Sequence, residues 1–218
     1  IDENSTLEIL SIINNEDAGV ALAIQNKLTE IEAFIDALIP KIRRGGRLFY
    51  VGSGSSGRLG VLDAAECPPT FSTDPEMVQG IIAGGYDALV KSIEGAEDNP
   101  ADGAKAIVDY GINSEDTVLG ITASSSTPFV LGALEKAKEI GAMTGLLLSN
   151  NPPKLEYVDY IISIIVGPEV ITGSTRMKAG TATKLVLNMI TTTLMIKLNK
   201  TYGNLMVDLK ASNEKLWD

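Results

Sequence analysis

Residues 47–58 constrain the fold more than any other stretch. The run Arg47-Leu48-Phe49-Tyr50-Val51 passes directly into Gly52-Ser53-Gly54-Ser55-Ser56-Gly57-Arg58. A short apolar run stopped by glycine reads as a strand buried on both faces, and the glycine–serine turn behind it predicts the start of a helix. The unit recurs. Strands are expected over residues 77–82, 117–122, 144–148 and 160–166, and helices over 88–97, 128–140 and 174–198. Upstream, Ser5 or Thr6 caps a first helix. Leu28, Ile31, Ile35, Leu38 and Ile42 mark a longer one over 20–44, ended by Gly45-Gly46. Alternating strands and helices predict an α/β three-layer sandwich, a parallel sheet covered by helices on both faces. No linker or repeat divides the 218 residues, so one domain spanning 1–218 with N-terminal helices is expected. Pro100 and Pro152-Pro153 read as loop markers.

Composition narrows the chemistry. There is no His, which removes a Ser/His/Asp triad, a Cys/His dyad and any His-ligated metal. The single cysteine, Cys67, allows no disulfide framework and no cysteine-cluster metal site within one chain, and fits a reducing compartment. A net charge of −10 opposes nucleic acid and anionic membrane surfaces. It opposes an anionic substrate too, unless neutral donors and local cations gather where that substrate sits. The longest aliphatic run, residues 161–166, is far short of the ~20 residues of a membrane span.

Ligands of such folds sit beyond the C-terminal ends of the strands. Those ends are rich in small polar residues here: 53–57, 83–85, 123–127 and 149–150. The first turn formally matches the dinucleotide pattern G-x-G-x-x-G, with Asp74 or Glu76 as the later acid. However, Ser53, Ser55 and Ser56, followed by Arg58, suit one compact phosphate better, because hydroxyls and free amides meet at a helix start. A second turn, Ser124-Ser125-Ser126-Thr127-Pro128, has Thr127 as N-cap and Pro128 in the first helical turn. Together the two turns point to shared phosphate binding; read alone, the second fits helix capping equally well.

Three further clusters could carry proton transfer or anion contacts. Glu66 precedes Cys67-Pro68-Pro69, and the double proline is expected to end its helix, leaving the acid at a stiff exit. In a confined apolar setting a carboxyl there becomes a proton donor; otherwise it is a surface acid. Glu94 and Glu97 are three apart, on one face of the helix expected there, and read as an acid pair or a solvated face. In the last segment Ser174 or Thr175 caps a helix whose first turn holds Arg176 and Lys178, cations in a position the helix dipole disfavours. An ion pair with Glu169 or a bound anion would explain them.

Residues 54–71, GSSGRLGVLDAAECPPTF, resemble the signature of N-acetylmuramic acid 6-phosphate etherases. So do Ile82-Ala83-Gly84-Gly85, residues 90–98, residues 166–188, Gly203-Asn204-Leu205-Met206-Val207-Asp208 and Asn213-Glu214-Lys215-Leu216. The resemblance implies a sugar isomerase (SIS) domain of flavodoxin-like architecture, a cytoplasmic homodimer and no metal or redox cofactor. It also implies a phosphorylated amino sugar as substrate. The reaction would be cleavage of the D-lactyl ether of N-acetylmuramic acid 6-phosphate, giving N-acetylglucosamine 6-phosphate and D-lactate in cell-wall recycling. Glu66 matches the family's proton donor and Glu97 its second acid. Four departures stand out. The second turn lacks the family's Ser-Gly-Arg-Thr-Pro arginine, Ser55 and Thr183 replace Thr and Gln, and the usual C-terminal helical region is absent after Trp217-Asp218. The changed second turn and the short C-terminus motivate one alternative, a non-catalytic sugar-phosphate sensor like the related glucokinase regulatory protein; a second, an aldose–ketose phosphosugar isomerase, follows because such folds host that reaction too.

Overall fold

The computed structural model describes residues 1–152 and 154–207. Five parallel strands form the central sheet: β1 (Leu48–Gly52), β2 (Val78–Ile82), β3 (Thr117–Thr122), β4 (Met143–Leu148) and β5 (Tyr160–Ser163), in the order β2-β1-β3-β4-β5. Phe49 and Tyr50, neighbours on β1, point to opposite faces and are both fully buried, so one strand feeds two cores. On the Tyr50 face pack α2 (Val20–Gln25), α3 (Leu28–Arg43), α4 (Gly54–Phe71) and α7 (Lys178–Lys197), through Phe34, Leu38, Cys67, Val186 and Ile190 among others. On the Phe49 face pack α5 (Pro100–Asp109) and α6 (Pro128–Ile140), through Ile107, Val130 and Leu134. The three-layer α/β reading therefore holds. A two-stranded hairpin, β6 (Thr201–Tyr202) and β7 (Leu205–Met206), follows α7.

Chain order reverses between β1 and β3, where Gly52 lies beside Ile121. This switch point is where open α/β sheets bind ligands. At the opposite end of the same strand pair, buried Asp116 accepts from the Arg47 amide at 2.9 Å and from its guanidinium at 2.7 Å. That pair locks the register of β1 against β3. No helix among the described residues is long and apolar enough to cross a membrane.

Four sequence expectations are corrected. The helix over 20–44 is interrupted at Asn26-Lys27. The helix over 88–97 does not form; a 3₁₀ turn, Tyr86–Leu89, is followed by turns, with Gly95 at φ +73°. Instead α5 opens at Pro100, because the Asn99 side chain accepts from the Ala101 amide at 3.0 Å and proline suits the first helical turn. Pro68-Pro69 do not end α4, since Phe71, beyond both, is buried and draws the last turn onto the core. Finally, α7 begins at Lys178, four residues later than expected. At the N-terminus, α1 (Thr6–Asp17) starts with a capping box between Ser5 and Glu8 and buries none of its side chains.

Candidate active site

Two strand-to-helix turns meet at the switch point. Ser53 is the N-cap of α4, but its hydroxyl makes no cap bond; it donates instead to Glu97 Oε2 at 2.7 Å. The amides at positions 54–56 fall in the first turn of α4, where a helix supplies no acceptor of its own. They face a ligand position with the positive end of the helix behind them. Gly57 makes the close approach possible. A Cβ there would lie 2.6 Å from Ile82 Cγ1 and 2.8 Å from the Gly52 carbonyl oxygen.

The second turn leaves β3. Thr122 and Thr127 share a hydroxyl–hydroxyl bond of 2.7 Å, with Ser124 Oγ 3.3 Å from each. A cavity of about 240 Å³ lies between the turns. Ser53, Ser55 and Ser56 line it from one side, Ser124 and Thr127 from the other, and Glu97, Thr175 and Gly180 close it. Glu97 joins both walls, because its carbonyl also accepts from the Phe129 amide of α6 at 3.0 Å. A second cavity of about 290 Å³ adjoins through Ser53, Gly54 and Glu97, and adds Arg58, Lys91, Glu94 and Asp98.

The start of α7 borders the first cavity yet carries its own anion. The Glu169 carboxylate accepts from the amides of Lys178 and Ala179 at 2.9 and 3.0 Å. Glu169 therefore caps α7 from nine residues upstream through backbone amides. The Lys178 ammonium, expected among the phosphate ligands, is not on the cavity wall. It is 4% exposed and pairs with Glu16 of α1 at 2.5 Å.

Behind α4 lies a buried polar network. Asp63 accepts from the Tyr50 hydroxyl at 3.0 Å and the Thr191 hydroxyl at 3.2 Å, tying α4 to β1 and α7. Burial raises the Asp63 carboxyl above its ordinary range, opposed by those two bonds and by the charge of Lys184. Burial, with Asp63 and Glu66 nearby, pushes the Cys67 thiol up to about 12, so it stays a thiol at neutral pH and serves packing.

Comparison with known proteins identifies the family. The N-acetylmuramic acid 6-phosphate etherase of Caldanaerobacter subterraneus is 56% identical over 217 residues, 99% of this chain and 71% of that protein. Its namesake from Clostridium acetobutylicum is 56% identical over 100% of this chain and 72% of that protein. The chain belongs to the N-acetylmuramic acid 6-phosphate etherase family. Residues 30–138 also match the family model of the glucokinase regulatory protein N-terminal SIS domain. At the level of fold, the phosphoheptose isomerase of Neisseria gonorrhoeae superposes with a TM-score of 0.65 at 13% identity, covering 87% of this chain and 98% of that one. The phosphoheptose isomerase of Francisella tularensis gives 0.62 at 16% identity, covering 91% and 100%.

Of the residues that the two polar turns and the etherase resemblance singled out, the structure gathers Ser53, Ser55, Ser56, Ser124, Thr127 and Glu97 round one cavity. Arg58 stands at the neighbouring one, its guanidinium donating to the carbonyls of Leu89 and Lys91 at 3.0 and 2.8 Å. Ser125 and Ser126 are not on either wall. Nor is Glu66, which is exposed on α4 three turns beyond Gly54, about 18 Å at ~1.5 Å per residue. Sequence reasoning missed Thr122, Gly180 and Thr175 as lining residues. Thr122 was signalled by its place at a strand end; Thr175 and Gly180 reach the cavity only through tertiary packing.

Proposed function

We propose that this chain cleaves the D-lactyl ether of N-acetylmuramic acid 6-phosphate, releasing D-lactate and N-acetylglucosamine 6-phosphate, in the cytoplasmic recycling of cell wall. The phosphate occupies the α4 turn, held by the hydroxyls of Ser55, Ser56, Ser124 and Thr127 and by the amides at 54–56, with the Ser53 hydroxyl turning to it from Glu97 as the ligand enters. This arrangement overcomes the unfavourable net charge with neutral donors and a helix dipole. The α7 start contributes shape rather than charge, since Glu169 already satisfies its first amides.

The observation that carries the reading is the Glu97 carboxylate at the boundary of the two polar cavities, 2.7 Å from a phosphate-turn hydroxyl. With the sugar opened, the C1 aldehyde acidifies the C2 proton. Glu97 takes that proton, the C3–O bond breaks, and Glu66 protonates the departing lactate oxygen. Water then adds its oxygen at C3 of the unsaturated aldehyde and a proton returns to C2. Each well-placed transfer contributes roughly 10²–10⁴-fold.

Glu66 is too far along α4 to reach the cavity of its own chain, so in this reading it serves the cavity of a second copy in a homodimer. Exposed Leu62, four residues before it on α4, supports a covered surface there. The test is enzymatic detection of D-lactate from N-acetylmuramic acid 6-phosphate. Glu97→Gln and Glu66→Gln should each lower the rate at least 100-fold, and a mixture of the two inactive variants should regain activity through hybrid dimers. Sugar-phosphate binding without any lactate would refute the reading and leave a sensor.

A further inference from the structure

A third recess opens beside the phosphate cavity, between α4 and α7. It is an open groove of about 450 Å³ that shares Ser55 and Gly180 with the cavity, so the two lie side by side. Arg58, Arg176 and Lys184 line it, and no acid does. In a chain of net charge −10 this is a local reversal of sign. Arg176 is exposed and makes no hydrogen bond or ion pair among the described residues. Among the described residues Lys184 bonds only the neutral Asn188 amide oxygen, at 2.5 Å, and the acid its charge reaches is Asp63, buried behind the groove. Leu59 and Leu185 supply an apolar wall between these cations.

Resting on the etherase reading, we propose that this groove is the lactyl subsite, with Arg176 and Lys184 binding the carboxylate and Leu59 and Leu185 packing against the methyl. The substrate carries two anions, and its sugar product carries only one. A phosphate fixed by the α4 turn leaves the lactyl arm to find its own counter-charge. The cavity on the other side of Ser53 cannot provide it, because Glu94, Glu97 and Asp98 there outnumber Arg58 and Lys91. Once the ether breaks, lactate is held at an open edge and leaves first. Recognition of the arm is then separable from recognition of the sugar phosphate.

The test compares two ligands that differ only in the arm. In the wild type, Arg176→Gln and Lys184→Gln, KM is measured for N-acetylmuramic acid 6-phosphate and Ki for N-acetylglucosamine 6-phosphate as competitor. Each variant should raise KM about 10- to 100-fold, the worth of one charge-assisted hydrogen bond. Ki should stay within about twofold of wild type, and Arg176→Lys should recover part of the loss. Equal losses for both ligands, or none for either, overturn the subsite. Failure of the wild type to release lactate is a different result, and overturns the etherase reading beneath it.

Discussion

Asp63 permits a quantitative test of how α4 is held. Thr191 has one hydroxyl proton and two acceptors, Asp63 Oδ1 at 3.2 Å and the Leu187 carbonyl at 3.1 Å, so it keeps a partner if Asp63 is removed. The fully buried Tyr50 hydroxyl bonds to Asp63 Oδ2 and has no second partner among the described residues. Asp63→Ala therefore strands one buried donor, about 1–3 kcal/mol. Asp63→Asn keeps an acceptor at the same place. The alanine variant should be less stable than the asparagine variant by that amount, or about 2–4 °C in Tm per kcal/mol for a chain of this size. Adding Tyr50→Phe to Asp63→Ala removes the stranded group and should recover most of the gap.

Acidity gives the same network a pH signature. Folding raises the Asp63 carboxyl above 3.8, chiefly through burial. A raised acid contributes its full stability below the unfolded value and loses it as pH rises through the folded value. Asparagine does not titrate, so the stability difference should move in favour of Asp63→Asn across that interval. Urea unfolding at several pH values measures all of this. Equal midpoints for the alanine and asparagine variants, or no recovery by Tyr50→Phe, would refute the argument.

Three other outcomes are expected. Gly57→Ala places a Cβ 2.8 Å from the Gly52 carbonyl oxygen, a backbone atom that cannot move aside, and should weaken N-acetylglucosamine 6-phosphate binding at least tenfold by calorimetry while the far-UV spectrum persists. Glu169→Ala uncaps α7 and should lower stability by about 0.5–2 kcal/mol in urea, with Glu169→Gln recovering part. Gly132→Ala puts a Cβ 2.2 Å from the Pro100 carbonyl oxygen, forcing α5 off α6, and should cost about 1–3 kcal/mol or more without changing KM.

What could be read from the sequence depended on how local the cause was. The limits of β3 and α6 were legible to the residue, because Thr127-Pro128 and Gly141 are start and stop signals within the chain itself. The two polar strand-to-helix turns were legible for the same reason. The course of α4 past Pro68-Pro69 was not, since the decision lies with the burial of Phe71 against a core built from distant residues. The recurring strand–turn–helix unit suggested a helix over 88–97, although Gly95 within it was a visible warning. Glu169 was correctly paired with the start of α7, but through amides rather than side chains. No pattern could have tied Lys178 to Glu16, which lies 162 positions away in sequence.

Glu97 is fastened twice, by its side chain to the cap of α4 and by its carbonyl to the first turn of α6. Fraying of either helix end would carry the Glu97 carboxylate, the base of the proposed reaction, out of register while the sheet beneath remained intact. Heat should therefore silence this protein several degrees before it melts, and reversibly, with the loss of turnover reporting the opening of two helix tips rather than the collapse of the fold.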